Sequence, residues 1–183
     1  MSETPDLVYR VNENDEIVFV SEDWDQFATA NAGESVVSER VLHRPLWDFI
    51  TDLSTQEIYR LLLQKARAGR VIQFTFRCDA PWRRRFLEMI IVGQKGGAVE
   101  FRTRTLLEQE RPAPLLLDPQ ADRSDELLRS CGWCKKFFVG GEWVEVEEAI
   151  QRLRLFQRRS LPAISHGICG ECYEKMNAVV AEA

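Results

Sequence analysis

Four of the five cysteines form two pairs in the last third of the chain, Cys131-Gly-Trp-Cys134 and Cys169-Gly-Glu-Cys172. Two residues separate the cysteines of each pair, which lets both thiolates bind one ion at metal–sulfur distances of about 2.3 Å. Two such pairs supply the four ligands of a closed, tetrahedral zinc site. The spacing therefore predicts one structural Zn²⁺ per chain, bound by Cys131, Cys134, Cys169 and Cys172.

Two other roles for these cysteines stay open from the spacing alone: a redox-active dithiol, or plain buried thiols. His166 lies three residues before Cys169 and is a fifth candidate. It is either an alternative ligand or hydrogen-bond donor to a thiolate, or a turn residue that caps the last helix. Because four thiolates already complete a tetrahedron, a role outside the ligand set is favoured for His166.

The elements that must position the two pairs can be read around them. A hairpin is predicted from Lys135–Val139 and Glu142–Val146, which flank Gly140-Gly141. A knuckle, a hairpin and a helix that carries the second pair follow each other in a treble-clef zinc module, and such a small core relies on its metal. We therefore expect zinc removal to unfold this C-terminal part only. Two helical stripes are predicted, Val146, Ala149, Ile150, Leu153 and Phe156, and then Tyr173, Met176 and Val180.

The first 108 residues contain strand patterns before and after a central helical region. Ser21 is expected to cap a helix that ends near Gly33, and the capping-box spacing Ser54–Glu57 predicts a long helix to Gly69. Along the third strand, residues 72, 74 and 76 are apolar and should face the core, while Gln73, Thr75 and Arg77 face solvent. The order predicts an α+β domain with a five-stranded antiparallel sheet and helices on one face. The strands are predicted at 7–11, 16–20, 70–78, 85–92 and 98–105.

This order of elements over residues 6–108, with the helix Glu22–Ala28 and the segment Arg44–Ile50, resembles a PAS domain. The resemblance implies a sensor or protein-interaction domain, in which some members hold a ligand between the sheet and the helices. Heme is not expected, because the only histidine of this half, His43, lies in a loop and not in the long helix. Flavin is not expected either, because the Asn-Cys-Arg-Phe-Leu type motif is absent, and the ligand stays unassigned. Cys78 is expected to be a small buried hydrophobic residue. The aromatic residues Trp24, Trp47 and Phe49 are expected in the core.

The C-terminal segments Cys131–Lys136 and Ser165–Lys175 together resemble a cysteine-rich tail of bacterial PAS sensors and response-regulator-like signalling proteins. The resemblance implies bacterial signal transduction. Three prolines between Glu110 and Asp125 indicate a semi-rigid linker. The predicted organisation is a PAS-like domain at 6–108, a linker at 109–125 and a cysteine-rich zinc module at 126–183.

Charge and motif content narrow the function classes. The chain has 24 Lys and Arg against 29 Asp and Glu, a net charge of −5, so it is not a basic nucleic-acid platform. Its start lacks the features of a signal peptide and no apolar run is long enough for a membrane span, which predicts a cytoplasmic protein. The arginines and lysines that could contact phosphates are expected to form a solvated surface instead: Arg83, Arg84, Arg85, Arg152, Arg154, Arg158, Arg159, Lys135 and Lys136.

No Gly-rich phosphate loop, serine nucleophile motif, metalloprotease motif or histidine-kinase motif occurs in the sequence. We therefore expect a non-enzymatic signalling protein that acts through contact with a protein partner, either a kinase or regulator or a second copy of itself. The alternatives are a thiol redox switch that uses the cysteine pairs, and a nucleic-acid-binding regulator.

Overall fold

The computed structural model describes residues 6–31 and 33–182. Its N-terminal part contains the predicted five-stranded antiparallel sheet, in the order β2-β1-β5-β4-β3. The two closing strands are longer than predicted, and β5 sits at the centre between β1 and β4. The prediction that there is no signal peptide depends mainly on residues 1–5, which lie outside the described residues. The strands are β1 (Leu7–Val11), β2 (Ile17–Val20), β3 (Val71–Arg77), β4 (Arg83–Gly93) and β5 (Val99–Glu110).

Helices cover one face of this sheet, which confirms the predicted α+β class. They are α1 (Trp24–Ala30), α2 (Ser38–Val41) and α3 (Leu53–Arg67). The long helix α3 begins one residue before Ser54, because the Asp52 carboxylate is the actual cap and accepts a hydrogen bond from the Thr55 N–H at 2.7 Å. Its buried face packs on the sheet, and each fully buried side chain contributes about 1.5–3 kcal/mol. That face consists of Ile58, Leu62, Leu63 and Ala66.

Strand β3 departs from the predicted alternation at its last residue. Ile72 and Phe74 are buried as expected, but Arg77, predicted to face solvent, is also buried. Its guanidinium forms ion pairs with Asp79 and, across the chain, with Glu145. A buried arginine is tolerated only when it is paired in this way, so a distant carboxylate overrides the local pattern.

The C-terminal part forms a second sheet in the order β8-β7-β6-β9. The predicted hairpin is present, with positive φ at Gly140 and Gly141 in its turn. Strand β9, which lies parallel to β6, was not predicted, because Pro162 and Gly167 interrupt its pattern. The elements are β6 (Arg123–Cys131), β7 (Phe137–Val139), β8 (Glu142–Val144), α4 (Val146–Arg152), β9 (Leu161–Gly167) and α5 (Gly170–Glu182).

Both C-terminal helices differ from the predicted stripes at one position. Helix α4 ends at Arg152, because Arg154 adopts a left-handed conformation with φ of 50°. Phe156, predicted on the buried stripe, is consequently 73% exposed. On α5, Met176 is buried and Val180 packs against the core, whereas Tyr173 is exposed. Among the described residues, no helix is long and apolar enough to cross a membrane.

The buried apolar side chains fall into two clusters. The first, named here the sensor core only after the PAS resemblance of residues 6–108, contains the face of α3 and the sheet residues Ile72, Phe74, Ile91 and Phe101. The second, named here the module core, is built from β6, β7, β8, β9 and α4 and includes Leu116 of the predicted linker. Leu116, within the predicted linker 109–125, thus packs in the module core. The predicted domain limits stay a prediction.

Candidate metal centre

The four paired cysteines converge on one point. All four Sγ atoms lie within 4.8 Å of one another, and the Sγ atoms of Cys134 and Cys169 are 3.8 Å apart. A tetrahedral ion with sulfur ligands at about 2.3 Å requires sulfur–sulfur distances of about 3.8 Å. The residues therefore fit a single tetrahedral, thiophilic metal ion with little rearrangement.

The first pair sits in a tight knuckle at the end of β6. The Cys131 N–H donates to the Lys136 carbonyl at 2.8 Å, and the Lys135 N–H donates to the Cys131 carbonyl at 2.9 Å. Lys135 takes a left-handed conformation, with φ of 61°, to close this turn. The Gly132 N–H then donates to the Gly167 carbonyl at 2.8 Å, which brings the second pair alongside the first.

The second pair is positioned by the start of α5. Cys172 lies in the first turn of this helix, and the Cys169 carbonyl accepts the hydrogen bond from the Tyr173 N–H at 2.9 Å. Backbone N–H groups also point at the sulfurs: Cys169 N–H to Cys131 Sγ and Cys172 N–H to Cys169 Sγ, both at 3.4 Å. The helix N-terminus and these donors favour thiolates.

Hydrogen bonds among the thiols concentrate negative charge on one sulfur. The pKa of Cys131 is lowered, because Cys134 and Cys172 donate hydrogen bonds to its sulfur. The same bonds raise the pKa of Cys134 to about 12 and raise the pKa of Cys172 well above its usual range. A bound cation would supply the positive charge that lets all four thiols ionise together.

The knuckle is fixed directly to the sensor core through Trp133. Its ring centroid is 5.5 Å from the Phe74 ring and 6.0 Å from the Tyr59 ring. Its indole N–H donates to Thr55 Oγ1 at 3.4 Å, and its carbonyl accepts the Arg77 N–H at 2.8 Å. Cys131, Trp133, Cys169 and Met176 all belong to the sensor core, so the sulfur cluster is part of the N-terminal packing and not of the module core.

A buried ionic network makes a second connection between the two parts. Arg77 binds Asp79 on its own side and both oxygens of Glu145, just before α4, at 2.8 and 2.9 Å. Burial would lower the pKa of Arg77, but the hydrogen bonds to Asp79 and Glu145 raise it above the ordinary value. Arg84 pairs with Glu147 at 2.6 Å, in the first turn of α4. No local sequence pattern predicts these pairs, because the partners are far apart along the chain.

His166 lies on β9, opposite Ser130 of β6, and not in a turn before the last helix. Its side chain is exposed, and the group of four sulfurs forms without its imidazole ring. The packing role of Trp133 was not predicted from the sequence. Its position could have indicated that role, since a tryptophan between two candidate ligand cysteines brings a large apolar surface to the ion site.

The remaining candidate residues of the N-terminal part have ordinary positions. His43 is exposed in a turn, with φ of 63°. Cys78 is half-buried beyond the end of β3. Aromatic side chains that were expected in the core pack against it while half-buried, and they are Trp24, Trp47 and Phe49.

The basic residues are largely occupied by acidic neighbours. Arg83 pairs with Glu108, and Arg152 with Glu142 and Glu148. Arg85 is buried and donates to the carbonyl of Cys78 and to Asn31. These guanidinium groups are therefore engaged within the protein and do not form an open phosphate-binding surface.

No protein-family model matches the chain, and no curated protein matches it. Among solved structures, it is similar to a sensory box sensor histidine kinase from Vibrio cholerae, with 15% identity, a TM-score of 0.39 and coverage of 58% of this chain and 86% of that one. It is also similar to a domain of an HTR-like protein from Haloarcula marismortui, with 12% identity, a TM-score of 0.36 and coverage of 57% and 100%. The fold assignment accordingly depends on the strand order and pairing of this chain itself.

Proposed function

We propose that this chain is a non-enzymatic bacterial signal-transduction protein of the cytoplasm. In this proposal a PAS-like sensor domain is coupled to a structural Zn²⁺ site formed by Cys131, Cys134, Cys169 and Cys172. The signal passes by contact with a protein partner, a kinase or regulator, or by association of two copies.

The observation that carries the proposal is the packing of the sulfur cluster in the sensor core. Trp133 lies between two ligand cysteines and contacts Phe74 of β3 and Tyr59 of α3. A shift in the sheet or in α3 therefore reaches the metal ligands through one side chain, and the reverse holds as well. Interior packing is dense, so such a shift is transmitted and not absorbed.

Zinc is the metal that the donor set favours. Four cysteines at tetrahedral spacing suit Zn²⁺ or iron, and a closed set of four ligands leaves no open position for catalysis. The metal here would fix geometry: it would hold the knuckle after β6 and the start of α5 at fixed distance from β3.

Elemental analysis of the purified, reduced full-length protein is the first test. About one zinc per chain and no iron would support the proposal. Iron in place of zinc would contradict the assigned metal, and a protein with no metal would overturn the site. Turnover of ATP by the purified protein would contradict the non-enzymatic part.

The signalling part needs a test of partner contact that depends on the metal. The expected result is a specific partner, or a second copy, that binds the zinc-loaded protein and is released when Cys169→Ala removes the metal. The matched control is Cys78→Ala, which alters a cysteine outside the cluster. Equal binding by both variants would contradict coupling between the metal site and the contact surface.

The nucleic-acid alternative gains no support from four of the basic residues, which pair with carboxylates: Arg83, Arg84, Arg152 and Arg158. The redox alternative has one favourable observation: two of the four sulfurs, those of Cys134 and Cys172, are only half-buried.

A further inference from the structure

The four cysteines differ in exposure, and we call the sulfurs of the buried cysteines inward and those of the half-buried cysteines outward. Cys131 is fully buried and Cys169 is 2% exposed, whereas Cys134 and Cys172 are half-buried. Each pair therefore contributes one inward sulfur and one outward sulfur. The accessible cysteines are the second member of each pair, so they belong to different motifs of the sequence.

A cleft of about 200 Å³ opens beside the two outward cysteines. This volume is several times the roughly 30 Å³ that one water molecule takes up in the liquid. The cleft is lined by the aromatic rings of Phe76, Phe86 and Trp133 and also by charged side chains, those of Arg77, Glu171 and Lys175. A small reagent can reach Cys134 and Cys172 through this cleft, because both cysteines line it.

Backbone N–H donors do not distinguish the two kinds of sulfur, and a bound cation would let all four thiols ionise together. The inward sulfurs of Cys131 and Cys169 accept backbone N–H groups, but Cys134 also accepts one, from Lys136. Access is thus the property that separates them. The pair that reacts first with a small electrophile is set by the tertiary structure and not by the spacing within each motif.

We propose that Cys134 and Cys172 are a modification site for small peroxides, at which a disulfide forms between the two motifs. This inference depends on the proposed metal site, because it describes the chemistry of that site. All four Sγ atoms lie within 4.8 Å of one another, so the two outward sulfurs start no more than 4.8 Å apart and must close to the roughly 2.05 Å of a disulfide bond.

The reaction is balanced with hydrogen peroxide as the oxidant. One outward thiolate attacks a peroxide oxygen. The S–O bond of a sulfenic acid forms, the O–O bond breaks, and hydroxide is the leaving group. The other outward thiolate attacks that sulfur; the S–S bond forms, the S–O bond breaks, and a second hydroxide leaves. The two thiolates lose two electrons together, and peroxide is reduced to two hydroxide ions.

Loss of two ligands releases the metal, since the remaining two sulfurs do not complete a tetrahedron. The knuckle and the start of α5 would then be held to the sensor core by Trp133 and Met176 without the ion. Peroxide would in this way act on the contact between the two parts of the protein.

The experiment uses zinc-loaded, full-length protein with Cys78→Ser, which removes the one cysteine outside the cluster. The protein is treated with limiting hydrogen peroxide, free thiols are blocked, and trypsin digestion is followed by tandem mass spectrometry. Cleavage after Arg129, Lys135, Arg159 and Lys175 places the first motif in peptide 130–135 and the second in peptide 160–175. A disulfide between motifs links these two peptides, whereas a disulfide within a motif leaves them separate.

The expected result is a linked peptide pair with fragments that join Cys134 to Cys172, together with loss of zinc from the oxidised fraction. Disulfides within the motifs, or a link that involves Cys131 or Cys169, would overturn the inference. Retention of zinc and of all four thiols under peroxide would also overturn it, while leaving the structural zinc site intact. Absence of zinc from the untreated protein would instead overturn the metal site and the inference with it.

Discussion

The sensor core and the module core are assembled in different ways. The sensor core combines the first sheet and α3 with residues from the far end of the chain, Cys131, Trp133, Cys169 and Met176. The module core uses only residues between Leu116 and Ile164, and no ligand cysteine belongs to it. The proposed metal site is thus a joint between the two parts, and the second part has an apolar core of its own.

This comparison changes the expected effect of metal loss. From the sequence we expected metal removal to unfold only the C-terminal part, because its core looked weak. The packing places the ligands with the sensor core instead, while α4 and the second sheet bury Leu155, Ile150 and Ala149 without them. Metal loss should therefore loosen the joint more than the module.

Metal removal is expected to have the largest effect, because structural zinc contributes on the order of 10 kcal/mol. In Cys169→Ala, or after chelation, the amides of α5 and of residues 131–136 should lose hydrogen-exchange protection. The amides of α4 should keep theirs, since its side chains pack in the module core. Hydrogen exchange with mass spectrometry measures both. Equal loss of protection in α4 and α5 would restore the original expectation that the whole module depends on the metal.

Trp133→Ala should lower the free energy of unfolding by about 3–5 kcal/mol, because a buried aromatic ring is lost between the knuckle and the sensor core. Urea denaturation measures the change. Trp82→Ala is the control: Trp82 is 45% exposed, so less apolar surface is lost there and the decrease should be clearly smaller. Similar values for the two variants would mean that the joint contributes little to stability.

Asp79→Asn should lower the free energy of unfolding by about 3 kcal/mol, because Arg77 and Arg111 would keep buried charge without its carboxylate. The matched control is Glu110→Gln, whose carboxylate is 89% exposed and 3.8 Å from Arg83, with an expected loss below about 1 kcal/mol. Thermal melts at low and high salt test the difference. A loss for Asp79→Asn that high salt removes would contradict a buried network.

The smallest expected effect concerns pH and two half-buried tyrosines that pack against the sensor core. Burial raises the pKa of Tyr59 to about 12 and raises the pKa of Tyr9 well above its usual range. The contribution of these two neutral side chains to the free energy of unfolding is fully present below pH 10, the usual tyrosine pKa. It is lost as the pH rises through the pKa of the folded state. Unfolding followed at increasing pH should show this loss, reduced in Tyr59→Phe. Ionisation of Tyr59 near pH 10 in the folded protein, seen in its absorbance, would contradict its burial.

The predictable part of the fold is the part with local causes. The apolar spacing of α3 and the alternation at Ile72 and Phe74 depend on neighbours a few residues away, and both are confirmed. The Gly140-Gly141 turn has the same character, since its positive φ angles favour glycine. Element ends were less accurate, as at Asp52 and Arg152, because capping depends on single contacts.

The errors have long-range causes. Arg77 is buried by a carboxylate, Glu145, far along the chain. Strand β9 exists because β6 offers it a parallel partner, although Pro162 and Gly167 weaken its own pattern. Rules that use only neighbouring residues cannot identify Glu145 as the partner of Arg77, or β6 as the partner of β9.

The sequence by itself determined which four cysteines could share one ion, since two residues between the cysteines of each pair suffice to bring both sulfurs to one point. It also determined the antiparallel sheet covered by helices, because hydrophobic period and turn residues act locally. Only the tertiary structure decided that the sulfur cluster packs in the sensor core and that Cys134 and Cys172 face outward. Burial depends on what the rest of the chain places around a side chain, and residue spacing carries no information on that.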